Sequence, residues 1–314
     1  MFYATLCNRS PIFSFLAVGA LLLGSFTIQW WNYQREDLYS YSFILVLHHA
    51  MIFLVAATAN FTMTRQKIVG VGDYNLLVLL TVSLLGISVS LKNSLLMMGS
   101  LLAVLLIHRL GKLFNQAEAA IEEFELGVIA GLGLLVAPLF LFLLPFVLLG
   151  LNLTKSNRLR DFIAVLLGFS FVFFLKVLWA IWMEWQLLPL AVLPWGFNFQ
   201  LFHQLDWKEI VFIGLVGFWY LRQVLYYMRK ADQLSIRLRI FYRTVVLLIA
   251  LLLLPPFILE LNVKVLDFTL VLMPFFMILH QLQNGKNQKR WANDLLLTGL
   301  LVGTFCLHFF DLNA

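Results

Sequence analysis

The stretch Leu126–Leu153, LGVIAGLGLLVAPLFLFLLPFVLLGLNL, decides how the rest of the chain is placed. It runs for about 28 residues without a charged side chain, which is longer than one helix needs to cross a hydrocarbon core of about 30 Å. Pro138 lacks a backbone N–H and disfavours helical geometry at Ala137, so a break is predicted there. Two arrangements fit the stretch: one kinked span, or a re-entrant pair of half-helices (126–153) that enters and leaves a membrane by the same face.

The composition predicts that lipid is the solvent of this chain. Of the 314 residues, 62% are hydrophobic and 12% charged, and the mean hydropathy is +0.91. A soluble domain of this length could not bury so much apolar surface. We therefore expect an all-α, polytopic integral membrane protein whose residues 1–314 form a single transmembrane domain with short loops and no soluble domain.

Hydrophobic runs divide the chain into about nine full spans besides the central pair. The first is long and ends in Trp30–Trp31, as a retained span does and a cleaved signal peptide does not. Leu113–Glu125 is predicted to be a separate amphipathic helix at the interface, with its glutamates on one side and Ile121 and Phe124 on the other. Lys92–Asn93 is predicted to be a loop. The predicted spans are Ile12–Trp31, Phe43–Thr64, Asn75–Leu91, Ser94–His108, Phe162–Trp185, Glu209–Met228, Phe241–Leu259, Val265–Leu282 and Leu295–Phe310.

The distribution of lysine and arginine favours the re-entrant arrangement. Short cytoplasmic loops of membrane proteins collect basic residues. With the N-terminus inside, a re-entrant central stretch places about 17 basic residues inside and 4 outside, with Lys176 within the membrane. A single crossing gives about 7 inside and 14 outside. The expected location is the bacterial inner membrane, with a cytoplasmic N-terminus and a periplasmic C-terminus.

The middle of the chain resembles an uncharacterised multi-span inner-membrane family of Bacteroidota. The resemblance is best over residues 105–180 and implies a polytopic helical protein of similar length. The start of the chain, Asn8-Arg-Ser-Pro11, is similar to the opening of that family. The segments that carry the resemblance are Arg109-Leu-Gly-Lys-Leu-Phe114, Glu125-Leu-Gly-Val-Ile-Ala-Gly-Leu-Gly133, Ala137-Pro138, Arg158-Leu-Arg-Asp-Phe162 and Leu166-Leu-Gly168.

The same central pattern also resembles the core of membrane glycosyltransferases that use polyprenyl-linked sugars. Those enzymes carry an acidic residue in the first outward loop, where it binds a metal or acts as a base. Here Glu36 and Asp37 lie in that loop, although the residues around them differ from the pattern of the enzymes. The resemblance implies a catalytic role for Glu36 and Asp37. The alternative is that they are solvated loop acids beside Arg35.

Basic residues supply a second candidate site, for an anionic lipid headgroup, formed by Lys176, Arg222 and Arg229. Lys176 falls inside a predicted span, where a charge costs at least about 2.5 kcal/mol and generally needs a partner. Glu260 and Asp267 are candidate partners. The alternatives are that Lys176 extends to the outer interface and that the basic loop from Arg222 onward is a topology signal.

The remaining polar motifs indicate structure more than chemistry. Neighbouring side chains on a helix point about 100° apart, so His48 and His49 are expected to form interhelical hydrogen bonds instead of holding one metal. Cys7 and Cys306 lie near opposite ends of the chain and predict neither a disulfide framework nor a metal cluster. Metal sites and cofactors are expected to be absent, and the basic residues lack the pattern of a nucleic-acid-binding face.

Three functions follow from these observations. The first is a non-enzymatic structural or accessory subunit of a membrane complex, with lipids and other integral membrane proteins as partners. The second is a polyprenyl-linked glycosyltransferase or lipid-handling enzyme that uses Glu36 and Asp37. The third is a lipid flippase or transporter. The sequence favours the first, because nearly the whole chain is expected to be embedded in lipid and no convincing catalytic site is found, with no phosphate-binding glycine loop and no serine-centred elbow.

Overall fold

The computed structural model describes residues 11–32, 38–66, 75–85, 91–113, 120–154, 159–182, 207–230, 234–258 and 271–279. Every secondary-structure element in these ranges is helical. The helices are α1 (Pro11–Asn32), α2 (Leu38–Arg65), α3 (Asn75–Leu85), α4 (Leu91–Leu113), α5 (Ala120–Val136), α6 (Leu143–Thr154), α7 (Leu159–Trp182), α8 (Trp207–Lys230), α9 (Ile236–Leu252), α10 (Pro255–Ile258) and α11 (271–279), with a 3-10 helix at Pro138–Phe142 between α5 and α6.

Three stretches of the described helices are long and apolar enough to cross a membrane: Tyr41–Arg65 in α2, Leu91–Leu113 in α4 and Leu159–Trp179 in α7. Shorter apolar helical stretches cover Ser14–Trp30, Leu76–Leu85 and Pro138–Leu153. The fold class is therefore all-α where the chain is described. The total of about nine spans stays a prediction, and the last predicted span, Leu295–Phe310, lies outside the described residues.

The chain divides into two compact units that interleave along the sequence. Unit 1 comprises Met1–Leu101, Leu205–Asp232 and Lys264–Ala314. Unit 2 comprises Leu102–Gln204 and Gln233–Val263. In unit 1, α1, α2 and α3 pack against one another, and the stripe of α2 that faces inward includes Leu45, Ile52, Val55, Ala59 and Met63. Unit 2 contains the end of α4, the central stretch, α7, α9 and α10.

The break at Pro138 is confirmed. Helix α5 ends at Val136, and Ala137 adopts extended geometry (φ −158°, ψ 144°), as a residue before proline prefers. The Ala137 N–H donates to the Gly133 carbonyl at 3.2 Å and closes the last turn. Pro145 causes no second break because it is the third residue of α6, where the backbone N–H groups have no helical partner.

The prediction of an interfacial helix Leu113–Glu125 is wrong at both of its described ends, and residues 114–119 lie outside the described residues. Leu113 is the last residue of α4, and residues 120–125 form the first turns of α5, which continues without interruption into the central stretch. The predicted faces are also reversed in part, since Glu123 is 1% exposed and Ile121 is 77% exposed. The burial of Glu123 and the exposure of Ile121 therefore follow from how the first turns of α5 pack within the protein.

Two further boundaries differ from the sequence prediction. Lys92 and Asn93 belong to the first turn of α4 and do not form a loop. The predicted span Phe241–Leu259 is divided, because α9 ends at Leu252 and a short helix begins at Pro255. Consecutive prolines cannot donate backbone hydrogen bonds to the preceding turn, which explains this stop.

Candidate functional site

Helices α5 and α7 in unit 2 meet backbone to backbone at two glycines. A Cβ atom placed on Gly127 would clash with the Val165 carbonyl and lie 2.8 Å from the Phe169 nitrogen. A Cβ atom placed on Gly168 would clash with the Phe124 carbonyl and lie 3.1 Å from the Val128 nitrogen. Small residues allow membrane helices to approach this closely. The contact therefore depends on the absence of side chains from both helices.

The register of this contact shows that α5 and α7 run in the same direction. Gly127 lies beside Val165 and Phe169, while Gly131, one turn further along α5, lies beside Val172, two turns beyond Val165. Contacts that advance together along both chains occur only between parallel helices. Both helices therefore start at the same end of unit 2.

The segment between them must carry the chain back to that end, and the contacts of α6 show that it does. At the turn, a Cβ atom on Gly133 would lie 2.5 Å from the Leu143 side chain, so the chain folds back at the break. Near the end of α6, Gly150 lies against Leu110, in the last turns of α4. One residue before Leu110, Arg109 forms an ion pair with Glu125 at the start of α5. The central stretch therefore forms a hairpin that returns to the end from which it started.

Helix α9 runs in the same direction as α5 and α7. It packs against α6 and the 3-10 helix, and α10, which follows it, also packs against the 3-10 helix at the turn of the hairpin. Since α9 finishes beside the turn, it begins nearer the opposite end. The charged end of unit 2 is defined here as the region where α4 and α6 finish and α5, α7 and α9 begin.

Nearly all the described charged residues of unit 2 lie at this charged end. The exception is Lys176, which by the register of α5 and α7 lies level with the break at Ala137. The turn of the hairpin itself, at the opposite end, consists of apolar residues and proline. The residues at the charged end are Arg109, Lys112, Glu122, Glu123, Glu125, Arg160, Asp161, Arg237, Arg239 and Arg243.

Two carboxylates at the charged end are buried. Glu123 is in the first turn of α5, and Asp161, 8% exposed, is in the first turn of α7. Negative charge is favoured near a helix N-terminus, where backbone N–H groups lack helical partners. The Arg109–Glu125 pair, with 2.9 Å between the guanidinium and carboxylate, joins α4 to α5. Because both side chains are partly exposed, such a pair is worth roughly 0–1 kcal/mol.

The contacts described above do not bring together the site residues that the sequence predicts. Glu36 and Asp37 lie outside the described residues. Lys176 is half-buried on α7 in unit 2, and no described residue forms an ion pair with it. Arg222, half-buried, and Arg229, exposed, are on α8 in unit 1. A headgroup site that combines the three basic residues therefore stays a prediction.

A second polar cluster is buried in unit 1 around His48 and His49. Nδ1 of His49 is 2.9 Å from the Leu45 carbonyl, which can only accept, so Nδ1 carries the proton. Nε2 of a neutral His49 is then an acceptor, and the Ser25 hydroxyl, 3.3 Å away on α1, donates to it. On α4, the Ser94 hydroxyl is 3.5 Å from Nδ1 of His48.

The histidines therefore link α2 to both α1 and α4. The expectation that His48 and His49 form hydrogen bonds between helices is confirmed. Their ring centroids are 5.9 Å apart, and the ring planes meet at 72°. No group of three metal-ligating side chains occurs among the described residues.

The sequence predicts that Gly127, Gly131 and Gly133 thin one face of the helix and let another backbone approach, and the contacts of Gly127 with α7 confirm this. Sequence reasoning missed that α7, through Gly168, is the partner, and it missed the buried acids. The spacing of Gly127 and Gly131, and of Ala164 and Gly168, is the small-x-x-x-small pattern of close helix pairs and would have been a signal for the first. The burial of Glu123 had no comparable signal, because its neighbours along the helix suggest a solvated acidic face.

Comparisons of the chain with protein-family models, with curated proteins and with solved structures find no match. The resemblances to the Bacteroidota family and to the glycosyltransferase core therefore stay predictions.

Proposed function

We propose that the chain is a multi-pass inner-membrane protein that acts as a non-enzymatic structural or accessory subunit of a membrane assembly. Its hairpin, residues 126–153, is re-entrant, so the charged end of unit 2 faces the cytoplasm. The N-terminus is cytoplasmic and the C-terminus periplasmic.

The main support for this proposal is the exposed face of α7. One side of α7 is fixed to α5 by Gly168, but only 17% of its apolar stretch is buried within the protein. The exposed residues are large and apolar, and towards the end of the helix they include Phe174, Trp179 and Trp182. Soluble proteins rarely expose a continuous apolar surface of this size, whereas a helix in contact with lipid or with another membrane protein does.

The polarity of unit 2 supports the proposed orientation. Three described segments with basic residues converge on one end of the unit, namely the end of α4, the start of α7 and the start of α9, and the turn of the hairpin is apolar. A membrane-embedded turn with a charged cytoplasmic base has this distribution of residues. The described polar contacts in both units, such as Arg109–Glu125 and Ser25–His49, join helices to one another, as expected of a structural role.

Topology is tested by labelling single cysteines at Asn157 and Ser235 in a variant that lacks Cys7 and Cys306. Both introduced thiols should resist a membrane-impermeant maleimide in intact cells and react after the inner membrane is opened. A cysteine in the Arg35–Asp37 segment, which is expected to be periplasmic, should react in intact cells and serves as the control. Labelling of Asn157 or Ser235 from the periplasm would overturn the re-entrant arrangement.

The accessory role is tested by purification from native membranes in a mild detergent. A stoichiometric integral-membrane partner is expected, and a monodisperse monomer would contradict the role. The enzymatic alternative makes a different prediction, because simultaneous Glu36→Ala and Asp37→Ala substitutions should abolish the cellular phenotype only if these acids are catalytic.

A further inference from the structure

Helix α7 presents one continuous apolar stripe that begins beside an exposed cation. Successive stripe residues are three or four positions apart, so they lie above one another on one face of the helix. Each of the apolar members is between 43% and 59% exposed. The stripe consists of Arg160, Ile163, Leu167, Phe171, Phe174 and Leu178.

The composition of the stripe favours a lipid chain over a second protein helix. Helices that pair within membranes come close through small residues, and α7 already uses Gly168 for α5. The apolar members of the stripe are all branched or aromatic side chains, which suit a flexible acyl chain. Arg160 lies about 17 Å from Phe171 along the helix, close to half of a hydrocarbon core of about 30 Å. One acyl chain in the cytoplasmic leaflet therefore matches the first half of the stripe.

Arg160 has the properties of a headgroup ligand. It is exposed at the charged end, and within the described ranges no carboxylate forms an ion pair with it, whereas Arg109 is engaged with Glu125. Asp161, the next residue, points about 100° away and is buried. A cation in the first turn of a helix is unfavourable, and a phosphate beside it would offset this effect.

We propose that α7 binds an anionic glycerophospholipid of the cytoplasmic leaflet, with the phosphate on Arg160 and one acyl chain along Ile163, Leu167 and Phe171. This inference rests on the proposed function, since it requires α7 to enter the membrane from the charged end. It differs from the headgroup site predicted from sequence, which uses Lys176, Arg222 and Arg229.

Native mass spectrometry of the full-length protein, titrated with dioleoyl phosphatidylglycerol or dioleoyl phosphatidylcholine, tests the proposal. The wild type should bind phosphatidylglycerol more tightly. Arg160→Gln should weaken phosphatidylglycerol binding about fivefold, the effect of one cation at an anionic membrane surface, without changing phosphatidylcholine binding. Arg160→Lys should retain most of the affinity.

Lys112→Gln is the matched control. Lys112 is also exposed at the charged end, but the residues one and two turns before it, His108 and Leu105, are buried and half-buried, so it has no exposed stripe beside it. Its substitution should leave phosphatidylglycerol binding within twofold of the wild type.

Equal losses in Arg160→Gln and Lys112→Gln, or equal binding of the two lipids by the wild type, would overturn the lipid site. Either result could occur while the thiol labelling still gives the expected topology, so failure of this inference is distinguishable from failure of the proposed function.

Discussion

Replacing Gly168 with alanine should loosen the pair formed by α5 and α7. The added Cβ would lie 2.9 Å from the Phe124 carbonyl carbon, about 0.6 Å short of the ~3.5 Å at which carbon atoms make favourable contact. The obstructing atoms belong to the backbone, so no side-chain rotation can relieve the clash and the helices must separate. Forced overpacking of this kind typically costs about 1–3 kcal/mol. We expect the free energy of unfolding in detergent to fall by about that amount.

Gly24→Ala provides the control for this substitution. No atom lies within 4 Å of a Cβ placed on Gly24, in helix α1. Alanine is favoured over glycine inside a helix by roughly 0.5–1 kcal/mol, so this variant should be as stable as the wild type or more stable. If Gly168→Ala behaved like Gly24→Ala, the close approach of α5 and α7 would be refuted.

A double substitution tests whether Gly127 and Gly168 act at the same helix contact. Gly127→Ala obstructs the same crossing from the other helix, against the Phe169 nitrogen at 2.8 Å. Once the helices have separated for one new methyl group, the second needs less room. Gly127→Ala combined with Gly168→Ala should therefore cost less than the sum of the single substitutions. Full additivity would mean that the two glycines act at independent contacts.

Two further predictions concern the polar contacts between helices. A double-mutant cycle with Arg109→Gln and Glu125→Gln should give a coupling energy below about 1 kcal/mol, because the pair is partly exposed, and a clearly larger value would show that it is shielded from solvent. Ser25→Ala should lower the free energy of unfolding by roughly 0.5–1.5 kcal/mol, because His49 loses the hydroxyl that donates to Nε2, and no loss of stability would exclude this hydrogen bond.

Sequence reasoning succeeded where the cause is local. The restriction that Pro138 imposes on Ala137 acts within one peptide unit, so the position of the break follows from the sequence alone. The roles of His48 and His49 were predictable in kind, since buried polar groups between apolar helices need hydrogen-bonding partners. Their partners Ser25 and Ser94 were not, because they lie on helices distant in sequence.

Sequence reasoning failed where the burial of a helix face depends on which other helix packs against it. Ile121 and Glu123 lie in a pattern that suggests a water–lipid boundary, yet the neighbouring elements bury the acid and leave the isoleucine exposed. The charge at Lys92 suggests a loop between two spans, but an exposed side chain in the first turn of a helix can also carry a charge in solvent. Periodicity shows that two faces differ but does not identify what each one contacts.

The hairpin also constrains how the protein can be made. In the proposed re-entrant topology, insertion of residues 126–153 from the cytoplasmic side would move no charge across the bilayer, because the turn contains neither an ionised group nor a polar loop. The two glycines of the crossing are about 40 residues apart in the chain, with the hairpin between them, so α7 can dock only after α6 has turned back. The order of folding during synthesis would then be fixed: the hairpin would form first, and α7 would pack against it afterwards.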